Sequence, residues 1–281
     1  MISVGCSGWS YEEWVGPFYD SSERKFTQYA QVFSIAEIDS TFYRVPSPTV
    51  AKGMAEVSPK GFKFLPKFNR SITHEKKLGE KGDTGKDLES FLLFLAPIRQ
   101  AGKLGPALLQ LPPSFSSDEV GYLRDFLSTL PHWMQVAVEF RNTSLVSADI
   151  LMDLADANAA YVAVDEPLLP PYQFVTANFS YVRFHGKGKN VWFDYHYSDD
   201  ELRPWAENLK RNRFIDTYVL FNNHFHGYAV ENALSFMNML GVADEAQKAA
   251  LNRMRSQQTL RAPELSHYLP SSYRFFARRL K

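Results

Sequence analysis

Val136-Ala137-Val138-Glu139-Phe140-Arg141 reads as a strand with two chemically different faces. Successive side chains of a strand point to opposite sides. Val136, Val138 and Phe140 therefore share an apolar face suited to covering helices, while Ala137, Glu139 and Arg141 share the other. The split recurs downstream. In Tyr181-Val182-Arg183-Phe184-His185, Val182 and Phe184 lie opposite Tyr181, Arg183 and His185. In Tyr218-Val219-Leu220-Phe221-Asn222, Asn222 and then His224 continue the face of Tyr218 and Leu220. Strands with an apolar outer face and inward polar groups at their C-terminal ends are the units of a (β/α)8 barrel, whose chemistry sits on that rim.

Outward from these strands, short apolar runs alternate with amphipathic segments at intervals of about 30 residues, the length of a βα unit. Strands are predicted over 2–6, 35–38, 62–67, 107–111, 136–140, 161–164, 181–184 and 217–221. Strands alternating with helices imply a parallel sheet, and eight units favour a closed one. The clearest helices span 86–100, 118–130, 148–158 and 199–212, the last preceded by Ser198 with Glu201 at capping-box spacing. Pro167, Pro170 and Pro171 fall between the sixth and seventh strands and predict an irregular barrel with no full helix there. Residues after about 240 are expected to form one or two helices that cover the barrel, so 1–281 reads as a single α/β TIM-barrel domain. A dinucleotide-binding fold is disfavoured, because Trp9 and Ser10 follow Val4-Gly5-Cys6-Ser7-Gly8 where a pyrophosphate would need room.

With 45% hydrophobic and 15% aromatic residues, the chain can build a large core. Lys plus Arg balance Asp plus Glu at 31 each, so no global field draws the protein to DNA or an anionic membrane, and anion binding must be local. Cys6 is the one cysteine; without a partner it reads as an apolar filler in a reducing compartment. No signal peptide is read at the N-terminus, and no segment approaches the roughly 20 apolar residues of a membrane span. A cytoplasmic location is expected.

The candidate site gathers polar residues at the strand ends. Ser7 ends the first strand, Glu37 and Asp39 the second, Lys67 the third, Gln110 the fourth, and Asp165 follows the sixth. Each has a purely structural alternative. Glu139 and Arg141 could satisfy one another as an ion pair, Asp39 could cap a turn, and Gln110 could serve backbone groups near Pro112 and Pro113. The loops carry aromatics able to stack on a base or sugar, Trp9, Tyr11, Phe42, Tyr43 and Phe193 among them, although such rings more often pack loops together. His224 and His226, with His185 and a carboxylate, are the nearest approach to a metal-ligand set.

At these same residues the sequence resembles a known family. Val4-Gly5-Cys6-Ser7-Gly8-Trp9-Ser10-Tyr11, Glu37-Ile38-Asp39-Ser40-Thr41-Phe42-Tyr43, Ile72-Thr73-His74, Gln110-Leu111-Pro112-Pro113, Val138-Glu139-Phe140-Arg141, Arg183-Phe184-His185-Gly186 and Phe221-Asn222-Asn223 resemble, in order and spacing, the YecE-like family, domain of unknown function 72. The resemblance covers about 2–240, leaving 241–281 as a helical extension. It implies a TIM barrel and no established reaction, and it adds His74 to the site. By fold analogy it suggests metal-dependent or nucleic-acid-binding barrels, whose rims hold metals with histidines and carboxylates. Here Lys67, Arg141 and Arg183 are mixed among the acids, and Asp39 stands where the family often has Asn.

The leading expectation is an enzyme using acid–base chemistry on a small anionic, phosphate- or carboxylate-bearing substrate. Glu139, His185 and Glu37 are the expected catalytic groups. Arg141, Arg183 and Lys67 would bind the anion, and Ser7, Trp9, Tyr11, Asp39, Tyr43, His74, Gln110, Asp165, Asn222 and His224 would complete the binding surface. No cofactor is expected. One alternative is a phosphodiester hydrolase with a divalent metal on Glu139, Asp165, His185 and His224. Another is a non-catalytic nucleic-acid binder, against which the balanced charge weighs.

Overall fold

Strands β1 (Ile2–Ser7), β2 (Ile35–Ile38), β3 (Lys63–Pro66), β4 (Ala107–Gln110), β5 (Val136–Glu139), β6 (Ala160–Asp165), β7 (Phe179–Phe184) and β8 (Asp216–Phe221) lie side by side, all parallel, in the order β3-β2-β1-β8-β7-β6-β5-β4. The computed structural model describes residues 1–211 and 215–266, with 258–266 as backbone only. The ring closes between β3 and β4 through isolated bridges, Phe64 with Leu104 and Lys67 with Leu108. Phe68 N–H donates to Leu108 O and Gly105 N–H to Phe64 O across that seam.

The helices are α1 (Lys25–Ala30), α2 (Ser40–Tyr43), α3 (Pro48–Val57), α4 (Gly85–Gln100), α5 (Val120–Thr129), α6 (Ala148–Asp156), α7 (Asp199–Arg211), α8 (Tyr228–Leu240) and α9 (Glu245–Ser266). The four expected helices are α4 to α7 with shifted ends. The run predicted over 118–130 opens with a 3-10 turn, Ser117–Glu119, before α5. α6 stops short of 158 because Asn158 takes a left-handed φ of 49°. The expected end of α7 at Asn212 lies outside the described residues, as do 267–281 of the expected extension. No helix occupies the connection from β6 to β7, where the three prolines fall. Ser198 begins α7 as its spacing predicts: its hydroxyl and N–H donate to Glu201 Oε2 at 2.8 and 2.9 Å.

Alternation along the strands sorts the core into two layers. Ile35, Leu65, Leu108, Ala137, Val162, Tyr181 and Leu220 fill the barrel interior. Val136, Val138, Phe140, Val182, Phe184, Val219 and Phe221 face outward into the shell beneath the helices. Close strand approach also constrains the rim. A side chain at Gly5 would meet Ile35 O at 2.3 Å, and Tyr29 OH, at 2.8 Å from both Cys6 N and Ile35 O, ties β1 to β2 there. Beyond α8, helix α9 lies on the shell with Ala250, Leu251 and Met254 buried, and Gln247 Nε2 donates to Val32 O at 2.7 Å. Among the described residues no helix is long and apolar enough to cross a membrane.

Candidate functional site

The inward residues at the strand ends meet around Arg183, whose side chain is 1% exposed. Its Nη1 donates to Glu139 Oε2 at 2.6 Å and its Nη2 to Glu37 Oε1 at 2.5 Å. Ser7 Oγ lies 3.4 Å from Nη2. Tyr181 OH donates to Glu37 Oε2 at 2.7 Å. Glu139 Oε1 accepts from Gln110 Nε2 at 2.5 Å and pairs with Arg141 Nη2 at 2.6 Å. Arg141 turns its other nitrogen, Nη1, onto Glu166.

His185 sits inside the same network. Its Nε2 is 3.3 Å from Glu139 Oε1 and 3.0 Å from Arg141 Nη2, and its Nδ1 is 3.0 Å from Asn222 Nδ2. Burial, reinforced by Arg141, pushes its pKa down to about 3, so the ring stays neutral. Burial alone would raise Glu139, but Arg141 and Arg183 outweigh it and hold the carboxyl well below the usual range. Burial pushes Glu37 up to about 7 despite Arg183, and Glu166 up to about 7 despite Arg141.

The three residues expected to move protons are therefore closed off. Glu37, Glu139 and His185 are each fully buried, with their polar atoms engaged by protein groups. They form the underside of a floor whose upper surface is Arg141, Arg183, Gln110 and Asn222.

Above that floor opens a cavity of about 680 Å³, within the usual range for a small-molecule site. Its aromatic lining comes in two groups. Tyr11 stacks on His224 with ring centres 4.5 Å apart, and Phe193 lies 5.6 Å from the same imidazole. Phe42 stands edge-on to Tyr43 at 5.2 Å and to His74 at 5.0 Å. Tyr43 is 73% exposed at the mouth. Lys67, Asp39 and Arg70 supply the charged part of the wall.

Local hydrogen bonds place this wall. Thr41 Oγ1 lies 2.7 Å from Ile38 O and 2.6 Å from Lys67 O and accepts from Lys67 N–H at 3.1 Å, pinning the ends of β2 and β3 together. Asn69 Nδ2 donates to Thr41 O and Phe42 O, and the π-helical turn Ser71–Glu75 then carries His74 to the cavity. Lys67 Nζ lies 3.7 Å from Asp39 Oδ1 and 4.4 Å from the centre of the Phe42 ring. Burial lowers the Lys67 pKa, an effect that Asp39 partly offsets. Burial would raise Asp39, yet Lys67 and Arg183 leave it lowered. Burial together with Lys67, Arg70 and Arg141 pushes His74 down to about 4, and burial also lowers His224.

Ser7, expected to bind substrate, is fully buried in the floor and does not line the cavity, and two other expected site residues go elsewhere. Trp9 turns into the shell, edge-on to Phe26 at 5.2 Å and Phe64 at 6.2 Å, so it packs a loop and does not line the cavity. Asp165 shares the outward parity of Tyr161 and Ala163. It accepts from Tyr197 OH at 2.8 Å and pairs with Lys187 at 2.9 Å. The inward carboxylate at the end of β6 is Glu166, in register with Val162 and Val164. Both faces of β6 are apolar, so its parity could not be read from the strand alone. Arg141 was the available signal, since a buried guanidinium needs more than one acceptor. Arg70, in the loop before His74, was not anticipated either.

The alternative metal ligands are not gathered. Among the described residues no group of three or more His, Cys, Asp or Glu is placed to hold a metal ion. Glu139 and His185 are in contact, but Asp165 faces outward and His224 stacks on Tyr11.

Comparison with known proteins matches the whole arrangement to chains without a stated activity. A family model described as "Protein of unknown function DUF72" matches residues 3–258, so it extends past the motif-bearing region into α9. The UPF0759 protein YunF of Bacillus subtilis is 26% identical over 86% of this chain and 95% of its own length. The UPF0759 protein YecE of Escherichia coli is 32% identical over 50% of this chain and 49% of its own. Among solved structures, a DUF72 family protein of Thermotoga maritima superposes with a TM-score of 0.77 at 33% identity, covering 86% of this chain and 99% of that one. One from Enterococcus faecalis gives 0.74 at 25% identity, covering 87% and 97%.

Proposed function

Since the chain belongs to the DUF72 family, whose description names no reaction, we propose from the cavity itself that the protein is an enzyme using acid–base chemistry on a small anionic substrate. One observation carries this reading: the Lys67 side chain is almost buried in the cavity wall, and the nearest charge partner of its ammonium, Asp39, stands at 3.7 Å, beyond hydrogen-bond distance. A cavity-facing cation without a protein acceptor suits an anion, and a substrate phosphate or carboxylate would supply the acceptors. Arg141 and Arg183 present further positive charge from the floor. Glu37, Glu139 and Glu166 hold these guanidinium groups in place from below.

In this reading Lys67 and Arg141 bind the anion, Gln110 and Asn222 orient the substrate, and Asp39 moves the proton. Asp39 is placed for that role because it lines the cavity beside the Lys67 amine. His74 and His224 enter as neutral donors or acceptors, their pKa values lowered as described. The test is a thermal-shift titration with inorganic phosphate, pyrophosphate and citrate at constant ionic strength. Saturable stabilisation by at least one of them, lost in Lys67→Met, is expected. Equal responses of wild type and Lys67→Met to every probe would rule the reading out.

A further inference from the structure

Three partly or largely buried lysines can be compared within this one chain. Lys103 Nζ donates to Ala55 O at 2.7 Å, to Ser58 O at 2.5 Å and to Ser58 Oγ at 2.7 Å. Lys77 Nζ donates to Ser114 O at 2.9 Å and to Glu119. Those two amines are tied down in the ordinary structural manner. Lys67 is as buried as Lys77, yet its Nζ makes no hydrogen bond among the described residues. It faces a cavity, rests over the Phe42 ring and has a carboxylate just out of reach. Its backbone, in contrast, is pinned on both sides by Thr41. The chain pins the backbone of this lysine and turns its amine to the cavity.

The geometry points to Lys67 as a covalent residue that forms an imine with a small carbonyl compound bearing a carboxylate or phosphate, such as a 2-oxo acid or a phosphorylated ketone. This rests on the anionic-substrate reading and deepens it. A lysine becomes nucleophilic when it is desolvated and set near other cations. Both conditions hold here: Lys67 is buried, and Arg183 comes within 4.0 Å of the same Asp39 oxygen.

The step balances without a further reactant. Asp39 takes a proton from the ammonium, and the freed Nζ lone pair forms a bond to the carbonyl carbon. Nitrogen passes its second proton to the former carbonyl oxygen, which becomes a hydroxyl. The hydroxyl leaves as water carrying the proton held by Asp39, and the iminium C=N remains with nitrogen's third proton on it. Asp39, whose Oδ1 stands 3.7 Å from Nζ, is the carboxylate placed to serve both transfers. The Phe42 ring face, 4.4 Å from Nζ, favours the cationic iminium as it forms. Arg141 on the floor would hold the substrate's anionic group.

The experiment treats the full chain with pyruvate and, separately, with dihydroxyacetone phosphate, in the presence of cyanoborohydride. Peptide mapping then follows labelling at each lysine. Lys67 should label at least tenfold faster than any exposed lysine with one of the two probes, and inorganic phosphate should protect it selectively. Asp39→Asn should slow labelling by about a hundredfold, the usual contribution of a positioned acid–base group. Lys67→Arg, with its fold checked by circular dichroism, should remove the adduct. Should that variant not fold, phosphate protection of wild-type Lys67 decides the question alone. Labelling of Lys67 no faster than that of exposed lysines, with both probes, overturns the imine. If inorganic phosphate, pyrophosphate or citrate still stabilises the protein through Lys67 in that case, the anion-binding reading survives; if none does, both fall.

Discussion

At the scale of single residues, the decisive feature is that Glu139 serves the floor and does not reach the cavity. It pairs with both Arg141 and Arg183 in full burial, and removing one partner of a buried ion pair leaves uncompensated charge. Glu139→Gln should therefore lower unfolding stability by about 3–5 kcal/mol in urea titrations; a change under about 1 kcal/mol would return Glu139 to the list of catalytic groups. Glu166 and His185 of this floor also set opposite pH trends. Glu166 titrates near 7 in the fold against an ordinary value near 4.5, so the folded protein binds the extra proton between those limits. Its contribution is complete below about pH 4.5 and is lost as pH rises through 7. His185, pushed down to about 3 from 6.5, runs the other way, stabilising less as pH falls through that window. Comparing wild type with Glu166→Gln should show the balance moving against wild type by up to about 3 kcal/mol from pH 4.5 to 8. A flat difference would mean that Glu166 is ionised throughout. Most residues of this floor were legible from strand parity alone, because Glu139, Arg141, Arg183 and His185 each interrupt an apolar alternation. Glu166 was not, since β6 is apolar on both faces and offers no contrast to read.

At the scale of elements, sequence reading succeeded where a local physical signal existed and failed where position depended on tertiary contact. The Ser198–Glu201 box fixes the start of α7 through side-chain and backbone hydrogen bonds within three residues. Ser198→Ala should cost about 1 kcal/mol in thermal or urea unfolding and leave ligand responses of the cavity unchanged; no measurable loss would show that Glu201 caps the helix unaided. The prolines after β6 likewise predicted the missing helix. The segment from Asn69 to Glu75 had no such signal, for its π-helical turn is set by Asn69 reaching back to the carbonyls of Thr41 and Phe42. Asn69→Ala should therefore weaken any cavity ligand through displacement of Phe42 and His74, even though Asn69 itself does not line the cavity. Unchanged affinity for the phosphate probe would mean that the turn holds without this tie.

At the scale of the whole molecule, the barrel reads as a ring with one light seam and one added brace. β3 and β4 meet only through isolated bridges, and the seam lies beside Lys67, whose Cα register partner is Leu108. A lightly bonded seam lets the end of β3 be governed by Thr41 and Asn69 instead of by a full ladder, which suits a strand that delivers a reactive amine. The brace is α9. It places Leu251 and Met254 in the shell and sends Gln247 to Val32 O, just before β2 begins. Residues beyond 240 were expected to form one or two helices covering the barrel, and of these α9 buries Ala250, Leu251 and Met254. Burying two such side chains is worth about 1.5–3 kcal/mol each. Ending the chain after Asp244 should then cost roughly 3–6 kcal/mol and lower the unfolding midpoint measured by circular dichroism. Because α9 packs on the outer shell, far from the floor, the truncated protein should keep its response to inorganic phosphate wherever it remains folded. Loss of that response in a folded truncation would instead make α9 part of the site's support, transmitted through β1 and β2 to Asp39.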